Sequence, residues 1–422
     1  MGKPLAAILF KIILYRTIML GTSGIRGRYG EKITPSLIYR VSNQFAQDHK
    51  IIYIGHDIRD SSPALYYSAV SGALASGAEV YMIDTVPTGI MGFSYPGIMI
   101  TASHNPEEDN GIKFFRDGRE ITKEEGQFLN RDIIESKHGI IVQDYRNIIY
   151  DRYLAALEES FEFDFSIEPI DLNSSAYTFF NYYIQRTRIR LRLIDNVPYF
   201  LRKSEPIQQN VKIDRGFMLD GDGDRVVLVR NGNIVDGDRM FAGMAKYMNE
   251  TRGTDVLAVT VECPIAIKNF LSEYYKIHVT PVGSNYISSI LMNYKDRGFG
   301  GEPNGHYIIP KFNLVSDGIG GMALITEMLK REYPLPDISY RVIRKKYPVS
   351  DKIETMKRIK SRLNDEYLEI DGILIETEDI KILIRPSGTE NILRLTVEAP
   401  PDKIDEILNK YESIILESIK NP

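Results

Sequence analysis

Lys50-Ile-Ile-Tyr-Ile54 is a short apolar run that ends at a glycine, and this pattern predicts a buried strand. Residues 61–76 follow it with apolar side chains at helical spacing, and residues 79–83 form a second apolar run. A strand, a helix and a strand in this order predict a parallel sheet with helices packed on it, to which residues 98–101 add a further strand. The first part of the chain is therefore expected to be an α/β domain.

Similar patterns continue towards the C-terminus, where their order changes. In the middle of the chain we predict strands at residues 212–219, 226–229, 255–260 and 278–281, and helices at residues 265–275 and 314–328. The last segment has three strand-like runs before one amphipathic helix, at residues 368–375, 380–384, 392–398 and 401–419. This order predicts a separate C-terminal α+β domain. Residues 151–209 are rich in Phe, Tyr and Arg and give no clear pattern.

The composition limits the classes of protein to which the chain can belong. Its 422 residues correspond to roughly three domains, and 43 % apolar with 26 % charged residues is typical of a globular protein. A net charge of −5 argues against general nucleic-acid binding. The single cysteine, Cys263, excludes an internal disulfide and a multi-thiolate zinc site, and predicts a cytoplasmic protein.

Residues 1–18 precede these patterns. Lys11 and Arg16 interrupt their apolar run, which is too short for a signal core or a membrane span, so no membrane association is expected. We expect Met19 to be the natural start and residues 1–18 to be an upstream extension, with a genuine first helix as the alternative.

Five polar motifs, widely separated in the sequence, are candidates for a functional site. They are Gly21-Thr-Ser-Gly-Ile-Arg-Gly27, Thr101-Ala-Ser-His-Asn-Pro106, Asp220-Gly-Asp-Gly-Asp-Arg225, Gly301-Glu-Pro-Asn-Gly-His306 and Arg385-Pro-Ser-Gly-Thr-Glu390. The first of them is not the dinucleotide-binding fingerprint, and the chain contains no Walker lysine loop.

The aspartate motif has the clearest chemistry. Three carboxylates at alternate positions, separated by glycines, can converge on one hard cation. An EF-hand calcium loop is excluded, because Arg225 and Asn231 stand where that loop needs Gly and Glu. Few fixed ligands suit Mg²⁺, which usually shares its shell with phosphate oxygens, so the motif predicts a magnesium site.

The remaining motifs offer groups that handle phosphate and sugar. Ser103 is a candidate nucleophile or phosphate carrier, and His104 and Lys113 could hold a phosphate and move protons, although a plain polar turn would have the same spacing. Arg26 is a possible phosphate ligand, and residues 385–390 contain the arginine, hydroxyls and glycine of a phosphate cradle. Three side chains suit sugar hydroxyls: Glu302, Asn304 and His306.

Together and in this order, the motifs resemble the α-D-phosphohexomutase family, which includes phosphoglucomutase/phosphomannomutase and phosphoglucosamine mutase. The resemblance extends from Met19 to about Ala399 and includes Gly55-His-Asp-Ile-Arg-Asp-Ser-Ser62, Asp84-Thr-Val-Pro-Thr88, Asn110-Gly-Ile-Lys113, Thr280-Pro-Val-Gly283 and Asp317-Gly318. It implies a four-domain, heart-shaped α/β enzyme with one central cleft, in which three related α/β domains with mixed sheets precede a C-terminal α+β domain. The expected domain ranges are 19–147, 148–238, 239–338 and 339–422.

The resemblance also implies a role for each candidate residue. Ser103 would carry a phosphate in the resting state, and Mg²⁺ would bridge that phosphate to Asp220, Asp222 and Asp224. Lys113 would transfer protons, with Arg26 and His104 nearby, and Arg225 would face the active site. Glu302, Asn304 and His306 would bind the sugar. The residues expected on the substrate's non-reacting phosphate are Arg385, Ser387, Gly388 and Thr389.

The activity implied is an isomerase that interconverts hexose 1-phosphate and 6-phosphate through a bisphosphate, with hexose 1,6-bisphosphate as activator and a monomer or homodimer as the assembly. Two alternatives remain: a catalytically retired sugar-phosphate-binding paralogue and a magnesium-dependent sugar phosphatase. Asn304 stands where many members have Ser, so the sugar is left open. The 117 residues from Ser103 to Asp220 are few for this family, which predicts a trimmed or rebuilt second domain.

Overall fold

The computed structural model describes residues 20–194, 213–387 and 391–420. Each of the four expected domain ranges contains one sheet, and we call these the first to fourth sheets in chain order. The expected extension at residues 1–18 lies outside the described residues. Within the described part of the chain, no helix is both long and apolar enough to cross a membrane.

The first sheet is mixed and has the strand order β1-β5-β4-β2-β3-β7, with β6 beside β5. The predicted strand–helix–strand unit is confirmed: β2 pairs in parallel with both β3 and β4, whereas β5 runs antiparallel to β4 and to β1. The strands are Ile25–Arg28 (β1), Ile51–His56 (β2), Glu79–Thr85 (β3), Gly97–Ile100 (β4), Asp109–Arg116 (β5), Arg119–Glu120 (β6) and Ile140–Val142 (β7). The helices are Pro35–Ala46 (α1), Ser62–Ala75 (α2) and the 3-10 helices Thr88–Phe93 and Lys123–Asn130.

Helices α1 and α2 pack closely against each other on this sheet. The apolar residues of α2 at helical spacing include Leu65, Ala69 and Ala73, and all three are buried. A Cβ atom at Gly72 would stand 2.1 Å from the carbonyl oxygen of Tyr39, so the close approach of the helices requires glycine there.

The second sheet includes the segment whose pattern was unclear. Its strand order is β12-β11-β10-β8-β9, and the described part of the segment, up to residue 194, contributes two helices and two strands of two residues each. Aromatic side chains of both helices meet in the core, as where Tyr153 contacts Phe179 edge to face. The elements are Arg146–Ser160 (α3), Ile170–Asp171 (β8), Tyr177–Thr187 (α4), Leu193–Ile194 (β9), Gly216–Leu219 (β10), Val226–Arg230 (β11) and Asn233–Ile234 (β12).

The third sheet has the strand order β14-β13-β15-β16. β13 pairs in parallel with both β14 and β15, and β16 returns antiparallel to β15. Its elements are Gly237–Arg252 (α5), Val256–Thr260 (β13), Ile265–Leu271 (α6), Lys276–Thr280 (β14), Ser284–Leu291 (α7), Gly298–Glu302 (β15), His306–Ile308 (β16) and Gly318–Lys330 (α8).

Two helix predictions in this part of the chain are wrong at one end. The helix predicted at residues 265–275 ends at Leu271, because the chain must turn to reach β14 and the Tyr275 hydroxyl hydrogen-bonds the Ala245 carbonyl at 2.6 Å. The helix predicted at residues 314–328 begins only at Gly318. Asp317 is its N-cap and accepts hydrogen bonds from two backbone N–H groups, at Ile319 and Gly320.

The fourth sheet is antiparallel with the order β17-β20-β19-β18, which confirms the α+β prediction for the last segment. The strand predicted at residues 368–375 is shorter, because Leu368 makes only an isolated bridge to Leu374 before a turn at Asp371 and Gly372. The elements are Val342–Pro348 (β17), Lys352–Arg362 (α9), Ile373–Glu376 (β18), Lys381–Pro386 (β19), Ile392–Glu398 (β20) and Ile404–Lys420 (α10).

The largest hydrophobic core spans three of the four sheets, and the fourth sheet has a separate core. One continuous cluster includes buried side chains from the first, second and third sheets, such as Phe115, Phe217 and Phe299. The fourth sheet and its two helices have their own cluster, which includes Ile384 and Leu395. The first three sheets are therefore fixed to each other by shared burial, whereas the fourth meets the third through a small separate apolar cluster of Val261, Leu374 and Leu383 and through polar contacts.

Replacing Asp317 by alanine tests how strongly its cap supports this shared core. The carboxylate accepts hydrogen bonds from Tyr153 at 2.9 Å and Asn313 at 2.8 Å as well as from the two backbone groups. We expect Asp317→Ala to lower the free energy of unfolding by about 2–4 kcal/mol, since four buried donors lose their acceptor. Asp351→Ala removes an exposed cap from α9 and should cost about 1 kcal/mol in the same denaturant titration. Equal effects would contradict the argument.

Candidate active site

The serine loop follows β4 at the carboxyl end of the parallel strands. Ser103 is buried and has a backbone φ of 51°, in the left-handed region that costs a non-glycine residue about 1–2 kcal/mol. Its backbone N–H donates to the Thr101 hydroxyl at 2.8 Å. This strained turn presents the hydroxyl of Ser103 towards the loop that follows β10.

Arg59 holds the serine loop in this conformation. Its guanidinium donates hydrogen bonds to four carbonyl oxygens, two of them at Ser103 (2.7 Å) and Asn105 (2.9 Å). Asp57 pairs with the same guanidinium at 3.2 Å and also accepts from the Thr101 hydroxyl at 2.7 Å. Sequence reasoning missed this role, although both residues belong to the motif at residues 55–62.

The three aspartates lie in the loop between β10 and β11, and all three are buried. One carboxylate oxygen of each lies within 4.8 Å of the others. Gly223 has a φ of 69°, which lets the loop turn sharply enough to bring the carboxylates together.

The electrostatics of these aspartates favour a cation. Burial, together with the charges of Asp224 and Asp222, raises the pKa of Asp220 well above its ordinary value. Asp222 Oδ2 accepts from the hydroxyls of Thr88 and Thr101, at 2.9 and 3.1 Å, whereas its buried Oδ1 has no hydrogen-bond partner among the described groups. A buried carboxylate oxygen without a donor fits a metal ligand, so the residues present could hold a divalent cation.

The structure brings the serine and the aspartates together. Ser103 Oγ lies 3.5 Å from Asp220 Oδ2 and 3.3 Å from Nδ1 of His104. Burial and the neighbouring Arg225 and Arg26 lower the pKa of His104 well below its usual range, so its ring is neutral.

Lys113 projects from β5 into the same cluster. Its Nζ lies 3.0 Å from Asp224, and 3.7 Å from both Asp222 and Glu120. Burial alone would lower the pKa of Lys113, but these carboxylates raise it above its ordinary value. Glu120, which sequence reasoning did not select, is buried on β6, and its pKa is raised by that burial.

Arg26 and Arg225 approach the cluster from two sides. The Arg26 guanidinium is bound to the Ser23 carbonyl at 2.9 Å and faces Asn105 at 3.4 Å. Arg225 donates through Nε to His306 at 2.9 Å, and its Nη2 lies 2.8 Å from Nδ1 of His104. Arg225 therefore links the aspartate loop to both histidines.

The predicted sugar loop is the hairpin between β15 and β16. Glu302 and His306 pair at 2.8 Å, and His306 also contacts Asp224 at 3.1 Å. Burial and Arg225 alone would lower the pKa of His306, but Asp224 and Glu302 raise it. Asn304 lies at the tip of the hairpin, where its side chain accepts from the His306 backbone N–H at 3.4 Å.

The predicted phosphate cradle belongs to the fourth sheet. Arg385 and Ser387 line a cavity of about 630 Å³, together with Lys352 of α9 and with Thr22 and Val282 from earlier in the chain. Lys352 Nζ donates to the Ser387 carbonyl at 2.7 Å. Gly388 and Thr389 lie outside the described residues. Sequence reasoning missed Lys352, because no motif surrounds it.

Removing Arg59 tests whether the serine loop depends on it. We expect Arg59→Ala to lower the free energy of unfolding by about 3–5 kcal/mol, because the buried Asp57 carboxylate and four carbonyl groups, the buried one of Ser103 among them, lose their partner. Arg131→Ala, which breaks an exposed pair with Asp48, should cost about 0–1 kcal/mol. Thermal and denaturant unfolding measure both variants, and a stable Arg59→Ala protein would contradict this account.

Comparison with known proteins shows which family this chain matches. Models of phosphoglucomutase/phosphomannomutase match as alpha/beta/alpha domain I at residues 17–138, as alpha/beta/alpha domain III at residues 236–345 and as C-terminal domain at residues 344–410. A probable phosphoglucosamine mutase of Pyrococcus horikoshii is 33 % identical, over 95 % of this chain and 98 % of that protein.

Solved structures agree on the fold. A phosphoglucomutase/phosphomannomutase family protein of Burkholderia thailandensis has a TM-score of 0.76 at 20 % identity, over 94 % of this chain and 97 % of that one. An Aspergillus fumigatus N-acetylphosphoglucosamine mutase, in complex with GlcNAc-6P and magnesium, has a TM-score of 0.60 at 14 % identity, over 99 % of this chain and 100 % of that one.

The family models and the curated relatives define a phosphomutase, and the fold, with three α/β units and a C-terminal α+β unit, agrees with this class. The chain belongs to the α-D-phosphohexomutase family and has its heart-shaped fold. It is therefore an isomerase that acts on hexose phosphates.

Proposed function

We propose that the protein is a phosphoglucosamine mutase, which interconverts the 1- and 6-phosphates of glucosamine through a phosphoserine at Ser103. The observation that carries this proposal is the Ser103 hydroxyl, held on a strained loop 3.5 Å from Asp220 within a set of three buried carboxylates. The choice of sugar is supported by the names of the relatives, including those of Pyrococcus horikoshii and Methanococcus aeolicus.

The metal ligands in this proposal are Asp220, Asp222 and Asp224, with Ser103 or its phosphate beside them. Mg²⁺ bound there would neutralise charge on the transferring phosphoryl group. The orphaned Asp222 oxygen and the raised pKa of Asp220 both support a divalent cation at this place. The Aspergillus protein of the same fold, which was solved with magnesium, is consistent with that choice of metal.

In the first half-reaction the phosphoryl group leaves Ser103 Oγ and bonds to the free hydroxyl of the sugar phosphate. The hydroxyl proton ends on Ser103 Oγ, and the product is a hexose 1,6-bisphosphate. In the second half-reaction the bisphosphate, bound in the opposite orientation, returns its other phosphoryl group to Ser103 Oγ. The sugar O–P bond breaks, and the serine proton ends on the sugar oxygen that is freed. Added hexose 1,6-bisphosphate would therefore activate protein that has lost its phosphate.

The surrounding side chains supply charge and proton transfer in this scheme. Lys113, Arg26 and Arg225 bring cationic groups to the phosphoryl group, and Lys113 and the neutral His104 are the groups that exchange protons. Glu302, Asn304 and His306 would bind the sugar ring. The non-reacting phosphate would bind at Arg385, Ser387, Gly388 and Thr389, with Lys352 of the same cavity.

Phosphorus NMR of the protein with Mg²⁺, a trace of hexose 1,6-bisphosphate and one sugar phosphate at a time tests this function. We expect interconversion to be fastest for glucosamine phosphate and to be lost, by at least about a thousandfold, in Ser103→Ala, because this variant lacks the hydroxyl that carries the phosphoryl group. Ser316→Ala, which removes a hydroxyl that donates to the Asp224 carbonyl, should stay active.

The same experiment distinguishes the two alternative functions, a sugar phosphatase and a retired paralogue. Free inorganic phosphate as the main product would favour a phosphatase, and full turnover in Ser103→Ala would exclude the phosphoserine route. Binding of sugar phosphates without turnover would identify a retired paralogue.

Metal binding can be measured without turnover. We expect Mg²⁺ to raise the unfolding temperature of the wild-type protein, since a ligand that binds only the folded state stabilises it, and Asp222→Asn to remove most of this shift. The exposed Asp214 offers a matched control, and Asp214→Asn should respond to Mg²⁺ like the wild type. An unchanged response in Asp222→Asn would rule out the proposed ligand set.

A further inference from the structure

Arg385 is engaged by an acidic side chain from another part of the molecule. Its Nε and Nη2 donate to Glu262 Oε1 at 2.8 and 2.5 Å, and its Nη1 lies 3.6 Å from Asp371. Arg385 belongs to the fourth sheet, whereas Glu262 lies in the loop between β13 and α6 of the third sheet. The cation expected to bind the substrate's phosphate is therefore already paired with a carboxylate.

The two partners differ in how readily they can leave the pair. The Arg385 side chain is 11 % exposed, but that of Glu262 is 39 % exposed and can turn into water with little loss of solvation. The backbone next to Glu262 is held separately, because the Cys263 carbonyl accepts from Lys381 at 2.6 Å and the Ile265 N–H donates to Glu398 at 2.8 Å. The Glu262 side chain can therefore leave Arg385 while the backbone on both sides of Glu262 stays in place.

We propose that Glu262 competes with the substrate's non-reacting phosphate for Arg385 and so sets the preference of this site for a dianionic group. This inference rests on the proposed function, in which Arg385 binds that phosphate. A singly charged ligand that displaced the Glu262 carboxylate would leave the total negative charge facing Arg385 unchanged. A phosphate dianion brings a second negative charge and two oxygens to the guanidinium fork, and it meets Lys352 in the same cavity.

The charge of Glu262 can be removed without changing its size. We expect Glu262→Gln to bind inorganic phosphate and glucosamine 6-phosphate about three- to tenfold more tightly than the wild type at constant ionic strength, because the competing carboxylate is gone. KM should fall by a similar factor while kcat does not rise. The ratio of the affinity for inorganic phosphate to the affinity for acetate should also be smaller in Glu262→Gln than in the wild type. Isothermal titration calorimetry and steady-state kinetics measure these quantities.

Glu376→Gln is the matched control. Glu376 forms an ion pair with Lys268 and so also joins the fourth sheet to the third, but it has no contact with Arg385. This variant should bind phosphate like the wild type. In an Arg385→Ala background, Glu262→Gln should no longer change the affinity, because the contested cation is absent.

Three results would overturn the proposal. Weaker phosphate binding in Glu262→Gln would mean that Glu262 positions Arg385 for the ligand. Equal tightening in Glu262→Gln and Glu376→Gln would mean that looser contact between the sheets is the cause. Unchanged affinity in Glu262→Gln would mean that the pair does not oppose binding. Failure of the proposed function is seen separately, as a wild-type protein that binds phosphate but does not interconvert glucosamine phosphates.

Discussion

Three buried carboxylates within 4.8 Å of each other are the constraint around which the rest of the site is arranged. Buried like charges destabilise a fold unless opposite charges or donors meet them. Lys113, Arg225 and His306 approach from β5, the aspartate loop and β16, and Thr88 and Thr101 donate to Asp222. Each partner comes from a different segment, so balancing the aspartates also ties the first, second and third sheets together.

The shared hydrophobic core holds the loops that carry these residues in fixed positions relative to each other. Side chains such as Phe115, Phe217 and Phe299 belong to one cluster, so the loops that end β4, β10 and β15 have fixed relative positions. The fourth sheet has a core of its own and meets the third through a small apolar cluster, which includes Val261 and Leu383, and through polar groups, among them the Glu262–Arg385 pair. Ser103 and the phosphate cradle therefore belong to parts of the molecule that have separate hydrophobic cores.

Much of the fold followed from local patterns, and the failures have identifiable causes. Parallel strands and helices such as β2 and α2 were predictable because their apolar residues follow one period each. The segment at residues 151–209 was unreadable because the two strands in its described part have two residues each and aromatic side chains occupy more than one face of α4. The helix that begins at Gly318 was predicted to begin at residue 314, because the residues before Gly318 are locally compatible with a helix. The Asp317 cap fixes the observed start.

The sequence by itself determined the chemical groups of the site: a serine in a polar turn, three aspartates on alternate positions, and arginine and lysine residues in glycine-containing motifs. Those groups are readable because spacing and residue type are local properties. The tertiary structure alone decided which of them meet, since Ser103 and Asp220 are 117 residues apart and 3.5 Å distant. It also decided the supporting residues, Arg59, Glu120 and Glu262, because a buried or bridging role depends on what packs around a side chain and has no local pattern.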